Sequence, residues 1–554
     1  MAFRYLGVFA VGLIAVAAFR CSASEIVFTK PAYRWLWGGF GFHNSEATMT
    51  AMMTDEFRDQ RVLKTFREIS PTYSRIFAGY HDWTKEAMDR FADYYDATFR
   101  RAGTTLYLVP GRMPTITSDF DIERYCEDVA TRLAYLVHER KCTKIRYYCI
   151  SNELSVGPTY AWFKDHLDLY AEINRAMQRA FARQNLDIGL QTPDASGYDM
   201  MKLIDWAIAN LNEQTDTYCW HLYDRNHQPG DPTLYCDLFT ALTNLVSRTM
   251  RKEKRLSLGE FGFTGRLTPR PMRDDTHTGF RYPDSVFARE AAISRAEMGL
   301  AALNAGAVSA VSWTMVDYPD PFLREDGDTP EEKARYDVAR FSGFGLDVRY
   351  NKNGLFRWCD EERDYSSYPD LYTMGYLVKL FRKGARVLPW STDDETLRAG
   401  AVTNPDGSLS IAVINWGEAR EVRLRCPHRA SQPLRVYAYD SAHVPYNAFN
   451  DLQPEIGRVA QDSDGTIRVD LPARGMVYLT SDYVDRVPAA IKRIAVRDNC
   501  LSWRPCADPE HVYYRVYHDG RQIASTVATS LAVTGGRSSS YAVKSVDRWG
   551  NVGK

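Results

Sequence analysis

The sequence predicts an α/β protein: a (β/α)8 TIM barrel followed by two smaller all-β segments. Three observations predict it. Short apolar runs alternate with amphipathic stretches between residues 33 and 385. Helical spacing vanishes after Gly384. No G-x-G-x-x-G turn opens the alternation, since Gly38-Gly39-Phe40-Gly41 does not match it, and an open doubly wound sheet would usually carry one. The runs at 34–42, 73–79, 105–110, 144–151, 187–191, 217–222, 255–259 and 307–315 read as the barrel strands. The stretches between them read as helices. Residues 165–183, for instance, place Leu167, Tyr170, Ile173, Asn174, Met177 and Phe181 at roughly helical spacing.

Past the barrel, 24–385 in all, short alternating strands lie at 410–415, 421–425, 434–439 and 466–471. Asn404-Pro405-Asp406-Gly407 and Ser463-Asp464-Gly465 are turn signals, so 386–487 reads as a β-sandwich bracing the barrel. Pro488 reads as a linker. Residues 488–554 carry Leu501-Ser502-Trp503, a strand at 513–518 running into Asp519-Gly520, and a strand at 541–547. This pattern resembles a fibronectin type III module, short by a last strand, and reads as a spacer or docking element.

Composition supports several globular domains. The chain has 554 residues, 45% hydrophobic and 25% charged, which at about 150 residues per domain suggests three or four. Lys+Arg 69 against Asp+Glu 70 leaves a net charge of −1, so no global positive field favours nucleic acid. Aromatics reach 13%, which suits both large cores and flat platforms for sugars. At the N-terminus, Arg4, an apolar run at 6–19 and Cys21-Ser22-Ala23-Ser24 form the pattern of a secretory signal, assigned to 1–23. The run is short for a membrane span, so the mature chain is expected to be secreted, periplasmic or extracellular, and free of the membrane. Export permits disulfides. Cys500 and Cys506 are close enough to pair across a turn, and Cys126, Cys142, Cys149, Cys219 and Cys236 are further candidates whose connectivity spacing cannot give.

In a barrel the chemistry sits where strands end. The fourth predicted strand runs into Ser151-Asn152-Glu153, and the seventh into Gly259-Glu260-Phe261-Gly262. Two carboxyl groups on such strand ends can lie about 5 Å apart, the separation that a double-displacement glycosidase needs. Mutual repulsion then helps to keep one protonated and the other ionised. Read singly, Asn-Glu after a strand is a helix cap followed by a surface acid. The coincidence of the two positions is what carries the reading.

With these residues in view, the chain resembles the clan A retaining glycoside hydrolases, the 4/7 superfamily, through Asn152-Glu153 and Glu260. His221-Leu222-Tyr223 on the sixth strand is similar to the His-x-Tyr of family 5, Trp313 ends the eighth strand, and Arg75 lies on the second. The order of barrel, sandwich and fibronectin-like module is similar to family 39. There are departures: no His follows the third strand, Tyr107-Leu108-Val109-Pro110, and the longer family 39 signature around the acid/base is not evident. The resemblance implies Glu260 as nucleophile and Glu153 as acid/base. It implies Asn152 as donor to the sugar 2-hydroxyl, Tyr223 and Arg75 as holders of Glu260, His221 as a sugar ligand or orienting group, and Trp313 as a face for the sugar. It also implies an oligosaccharide or polysaccharide substrate, β-linked, and no cofactor.

Each has a bland reading: Arg75 as a structural ion pair, His221 and Tyr223 as strand core, Trp313 as packing. Trp37, His43, Asp82, Trp83, Asp194 and Asp317 also fall near strand ends. As a group they read as structural, with one or two, Trp37 included, touching substrate. The basic stretch 264–283 reads as a solvated loop, and 317–368 as a lid or surface decoration. No G-x-S-x-G, H-E-x-x-H, P-loop or CxxC is present, so serine hydrolase, zincin, nucleotide and zinc-finger chemistry are not expected. The rival readings are a non-catalytic carbohydrate-binding barrel and a transglycosylase using the same residues.

Overall fold

The computed structural model describes residues 24–554 apart from 32, 34, 78–82, 111–119, 156–162, 198–200, 225, 264–285, 320–349, 352–353, 359–362 and 536. The signal segment, Asp82, the basic loop and most of 317–368 therefore lie outside the described residues.

Eight parallel strands close into a barrel: β2 (Gly39–His43), β3 (Tyr73–Phe77), β4 (Thr105–Val109), β5 (Ile145–Tyr148), β6 (Gly189–Ser196), β7 (Thr215–Asp224), β8 (Arg255–Phe263) and β9 (Ser309–Ser312), with β9 pairing back onto β2. All eight coincide with apolar runs in the sequence. Their interior is filled by Tyr73, Tyr107, Val109, Cys149, Cys219 and Val311, so the barrel is a packed core. Gly41 is fixed by close approach: a Cβ there would lie 1.4 Å from the Tyr73 carbonyl oxygen.

The expected helix at 165–183 is observed as Leu167–Arg183, and it buries the apolar face named above. Helix Val286–Ala305 behaves differently. It is buried on nearly all sides, its charged residues included, because it lies between the barrel and the β domain. Glu297 on it is fully buried, ion-paired to Arg398 of the sandwich at 2.9 Å and bonded by the Trp416 indole at 3.0 Å.

The first strand of the described chain corrects the sequence reading. β1 (Ser24–Phe28), assigned to the barrel segment, pairs parallel with Arg420–Arg425 and antiparallel with Trp390–Ser391. It completes a four-stranded sheet that packs on a six-stranded one across a core of Ile26, Leu397, Ile411, Val422, Ile467 and Leu479 among others. Ile26 and Phe28 face that core, the alternation of a half-buried strand.

The last segment forms two three-stranded sheets around Leu501, Trp503, Tyr514 and Val516. A missing final strand is represented by a single bridge, Val546 to Val552. This unit is bolted to the barrel. Lys64, fully buried on helix Leu63–Ile69, meets Glu68 at 2.6 Å and Asp451 of the sandwich at 2.8 Å. Tyr513 donates to Glu68, and Arg515 pairs with Asp451 at 3.2 Å. All eight described cysteines are free thiols, and the expected Cys500–Cys506 pair is not formed. Cys500 sits exposed in a sheet, whereas Cys506 lies in the loop packed under Tyr514, whose hydroxyl accepts the Cys506 N–H.

Glu46 follows β2 in a short 3-10 turn and is 1% exposed. Asn44 donates to it at 2.6 Å and Tyr94 at 3.0 Å, but burial dominates and pushes its carboxyl up to about 7. A folded-state value above the unfolded one makes the neutral form the stable one. The contribution is full below about pH 4.5 and is lost as pH rises toward 7, at a cost of the order of 3 kcal/mol. Glu46→Gln should therefore raise the melting temperature at pH 8 and leave it unchanged at pH 4. An equal shift at both pH values would contradict this account.

Candidate active site

The residues that end the barrel strands converge on one buried charge. Arg75, in the middle of β3, is in register with His43 on β2 and Tyr107 on β4, so the three form one layer of the barrel interior. Its guanidinium is wholly buried. Nη1 donates to Glu260 Oε1 and lies 3.2 Å from His43 Nδ1, while Nη2 donates to Asn152 Oδ1 at 2.6 Å and to Asp194 Oδ2 at 2.8 Å. A buried guanidinium needs this: removing one partner of a buried pair costs about 3–5 kcal/mol.

Glu260 reaches the site through a bulge. β7 and β8 shift register between Trp220 and His221, so that Leu258 faces Trp220 while Glu260 faces His221, and Gly259 is the extra residue. Only glycine fits there, because a Cβ would stand 2.2 Å from Cys219 Sγ and 3.0 Å from His221 Nε2. Glu260 then receives the Tyr223 hydroxyl on Oε2 at 2.5 Å.

Glu153 follows β5 with a left-handed φ of 44°. Its side chain is 21% exposed, against 4% for Glu260. His221 Nδ1 lies 3.2 Å from Glu153 Oε1 and 3.6 Å from Glu260 Oε2. Carboxylate oxygens of Glu153 and Glu260 approach within 4.8 Å. So close an approach of two oxygens agrees with the short separation of roughly 5–5.5 Å between carboxyl groups in retaining glycosidases rather than the 6.5–9.5 Å of inverting ones.

The electrostatics follow from these contacts. Burial pushes Glu260 above the usual carboxylate range, against the opposing pull of Arg75, His221 and the Tyr223 hydroxyl. Burial acts on Glu153 in the same sense, but the hydrogen bond and charge of His221 outweigh it and hold Glu153 below its ordinary value. His221 is itself held well up: Asp194 and Glu260 overcome the effect of its burial. His43 is pushed well down, by burial first and then by Arg75, and is neutral. With Arg75 donating at Nδ1, its proton sits on Nε2.

Trp313, 8% exposed, closes one side of the site. Its ring lies 4.3 Å from that of His43 and 5.5 Å from that of Phe77, and the Trp313–Thr314 peptide is cis.

The structure therefore gathers Arg75, Asn152, Glu153, His221, Tyr223, Glu260 and Trp313 at one end of the barrel. It does not bring Trp37 there. Trp37 precedes the N-terminal end of β2, is 1% exposed and packs edge-on against Phe40 in the strand–helix core, so the sequence assignment to substrate fails for it. Asp317 is tied to the Tyr368 hydroxyl and the Gly354 amide, and Trp83 packs on Phe91. Conversely Asp194 and His43, read as structural, belong to the cluster, and Tyr107 joins it by donating to Asp194 at 2.7 Å. The signal for Tyr107 was its place two residues into the third strand, in phase with Arg75 on the second.

No protein-family model matches the chain, and no curated protein matches it in sequence. Solved structures do match. The catalytic domain of GH30 xylanase C from Talaromyces cellulolyticus superposes with a TM-score of 0.53 at 13% identity, covering 82% of this chain and 99% of its own. The α-L-arabinofuranosidase of Thermotoga maritima, in complex with arabinose, gives 0.54 at 14%, covering 83% and 99%. The GH39 enzyme of Xanthomonas axonopodis pv. citri gives 0.50 at 14%, covering 85% and 99%. The chain thus shares its fold, a closed parallel eight-stranded barrel, with these glycoside hydrolase structures.

Gly259→Ala should expel His221 or Cys219 from its place and destabilise the protein by about 1–3 kcal/mol, as overpacking does. Cys219→Ala in the same chain should recover part of that loss in a denaturation midpoint. Strict additivity of the two substitutions would show that the glycine is not there for clearance.

Proposed function

We propose that this protein is an exported retaining glycoside hydrolase, with Glu260 as nucleophile and Glu153 as acid/base. The observation that carries the reading is the pair of carboxylates within 4.8 Å, one of them bonded by Arg75 and Tyr223. The names of two neighbours, a xylanase and an α-L-arabinofuranosidase, support a glycosidic substrate. Export rests on the pattern at 1–23, and no helix among the described residues is long and apolar enough to cross a membrane.

In the first step a Glu260 oxygen attacks the anomeric carbon, the bond to the aglycone oxygen breaks, and that oxygen takes the Glu153 proton. In the second, Glu153 takes a proton from water as the water oxygen attacks the same carbon, and Glu260 leaves as a carboxylate. Asn152 accepts from Arg75 through Oδ1, which fixes its amide so that Nδ2 is the donor left for the sugar 2-hydroxyl. Trp313 offers its face to the sugar.

The contacts around the two acids favour the opposite proton order, with Glu153 held down by His221 and Glu260 pushed up by burial. A glycoside entering between the two acids separates Glu153 from His221 and leaves Glu260 with Arg75 and Tyr223, so that the proton passes to Glu153.

Aryl glycosides test both parts. Glu153→Gln should lower kcat/KM about 10²–10⁴-fold for poor leaving groups and far less for dinitrophenyl glycosides. Glu260→Gln should abolish turnover of both. The alkaline limb of kcat, which reports the bound state, should lie at higher pH than that of kcat/KM, which reports the free enzyme. Sugar binding without turnover across the panel would sink the enzyme reading, and coincident limbs would sink the proton transfer on binding.

A further inference from the structure

We propose that Asp194 is a positioning residue whose buried charge keeps His221 an imidazolium, so that the two reacting acids share one proton between them. The inference rests on the glycosidase reading for its meaning, but not for its test.

The sequence gives Asp194 no role, and neither acid needs it for bonding to substrate. Yet it is fully buried and takes four contacts from four segments. Oδ2 accepts from Arg75 Nη2 at 2.8 Å and faces the Glu153 backbone N–H at 3.4 Å. Oδ1 accepts from Tyr107 at 2.7 Å and lies 2.9 Å from His221 Nε2. Its backbone is in the left-handed region, φ 57°, at a register shift between Pro193 and Ala195 that turns the side chain inward.

Counting the charges gives the consequence. The groups that face one another here are the carboxyls Glu153, Glu260 and Asp194, the cation Arg75, the imidazoles His43 and His221, the phenols Tyr107 and Tyr223, and the thiols Cys149 and Cys219. The phenols and thiols are neutral, since burial pushes all four up. His43 is neutral as well. Arg75 and a charged His221 balance two carboxylates, and the third carboxyl balances the site only by carrying a proton. A buried cluster of this kind is stable near neutrality. That proton is the one acid catalysis requires.

The alternative is that Asp194 only braces Arg75. The position of His221 distinguishes the two. Nε2 faces Asp194, while Nδ1 faces Glu153 and Glu260. With acids at both nitrogens, the ring satisfies its surroundings only by carrying protons on both. Asp194→Asn removes the charge and keeps the shape. Its amide nitrogen at the Oδ1 position would donate to Nε2 and to the Tyr107 oxygen, and His221 would become the neutral Nδ1–H form.

The test is ¹⁵N NMR of the histidine side chains in the whole protein, with His221→Gln to assign the signal. In the wild type His221 should stay doubly protonated well above the pH at which a free imidazole loses its proton. In Asp194→Asn its Nε2 should carry the signal of an unprotonated nitrogen at pH 7. If activity is present, the alkaline limb of kcat/KM should move up by roughly one unit or more in this variant, because the cation 3.2 Å from Glu153 is gone. A wild-type His221 titrating near its ordinary value overturns the proposal even if Asp194→Asn does not fold. So does an imidazolium that survives in Asp194→Asn. Failure of the glycosidase reading would show instead as absent turnover with the NMR result intact.

Discussion

The site depends on one constraint: a guanidinium with no exposure to water must be surrounded by acceptors. Arg75 meets this requirement by drawing in Glu260 from β8, Asn152 from the end of β5 and Asp194 from β6, with His43 of β2 alongside. Strands that are distant in sequence are thereby fixed at their C-terminal ends relative to one another. Two bulges serve the same end, because each turns one carboxylate inward where strict alternation would have sent it out. The chemistry proposed for Glu153 and Glu260 is a use of that frame.

The β domains carry the frame rather than trail behind it. Among the described residues β1 lies in the sandwich, the following segment forms the barrel, and the chain returns to the sandwich after helix Asp370–Leu380. Both ends of the barrel segment are thus held by one sheet system. The largely buried Glu297–Arg398 pair and the Lys64 cluster join the three units through charges that are mostly shielded from water. Such pairs add little net stability but make any other arrangement expensive. The C-terminal unit is therefore packed on the side of helix Leu63–Ile69 through these contacts.

Much of this was legible in the sequence, for reasons that differ by residue. Barrel strands announce themselves as apolar runs because both their faces are buried. Glu153 and Glu260 could be singled out because each ends an apolar run on strands that a closed barrel brings together, although either alone reads as a cap or a surface acid. Asp194 was seen only as one of several residues near strand ends and read as structural, because the predicted strand stops at Gln191, whereas the real one continues through the bulge to Ser196. Trp37 misled for a related reason. The predicted first strand begins at 34, but pairing begins at Gly39, which leaves Trp37 at the closed end. The partner of β1 lies nearly 400 residues away, and local pattern cannot name so distant a neighbour. The cysteines suggested disulfides by number alone, whereas most of them fill core positions singly, as small apolar side chains do.

The central claim is that Glu260 forms a covalent bond to the sugar. It is tested most directly by incubating the protein with activated 2-deoxy-2-fluoro glycosides and mapping the adduct by peptide mass spectrometry. The account predicts one stoichiometric glycosyl ester on the peptide containing Glu260, formed also in Glu153→Gln and absent in Glu260→Gln. A label on Glu153, or turnover that yields only product of inverted configuration with no adduct, would contradict it.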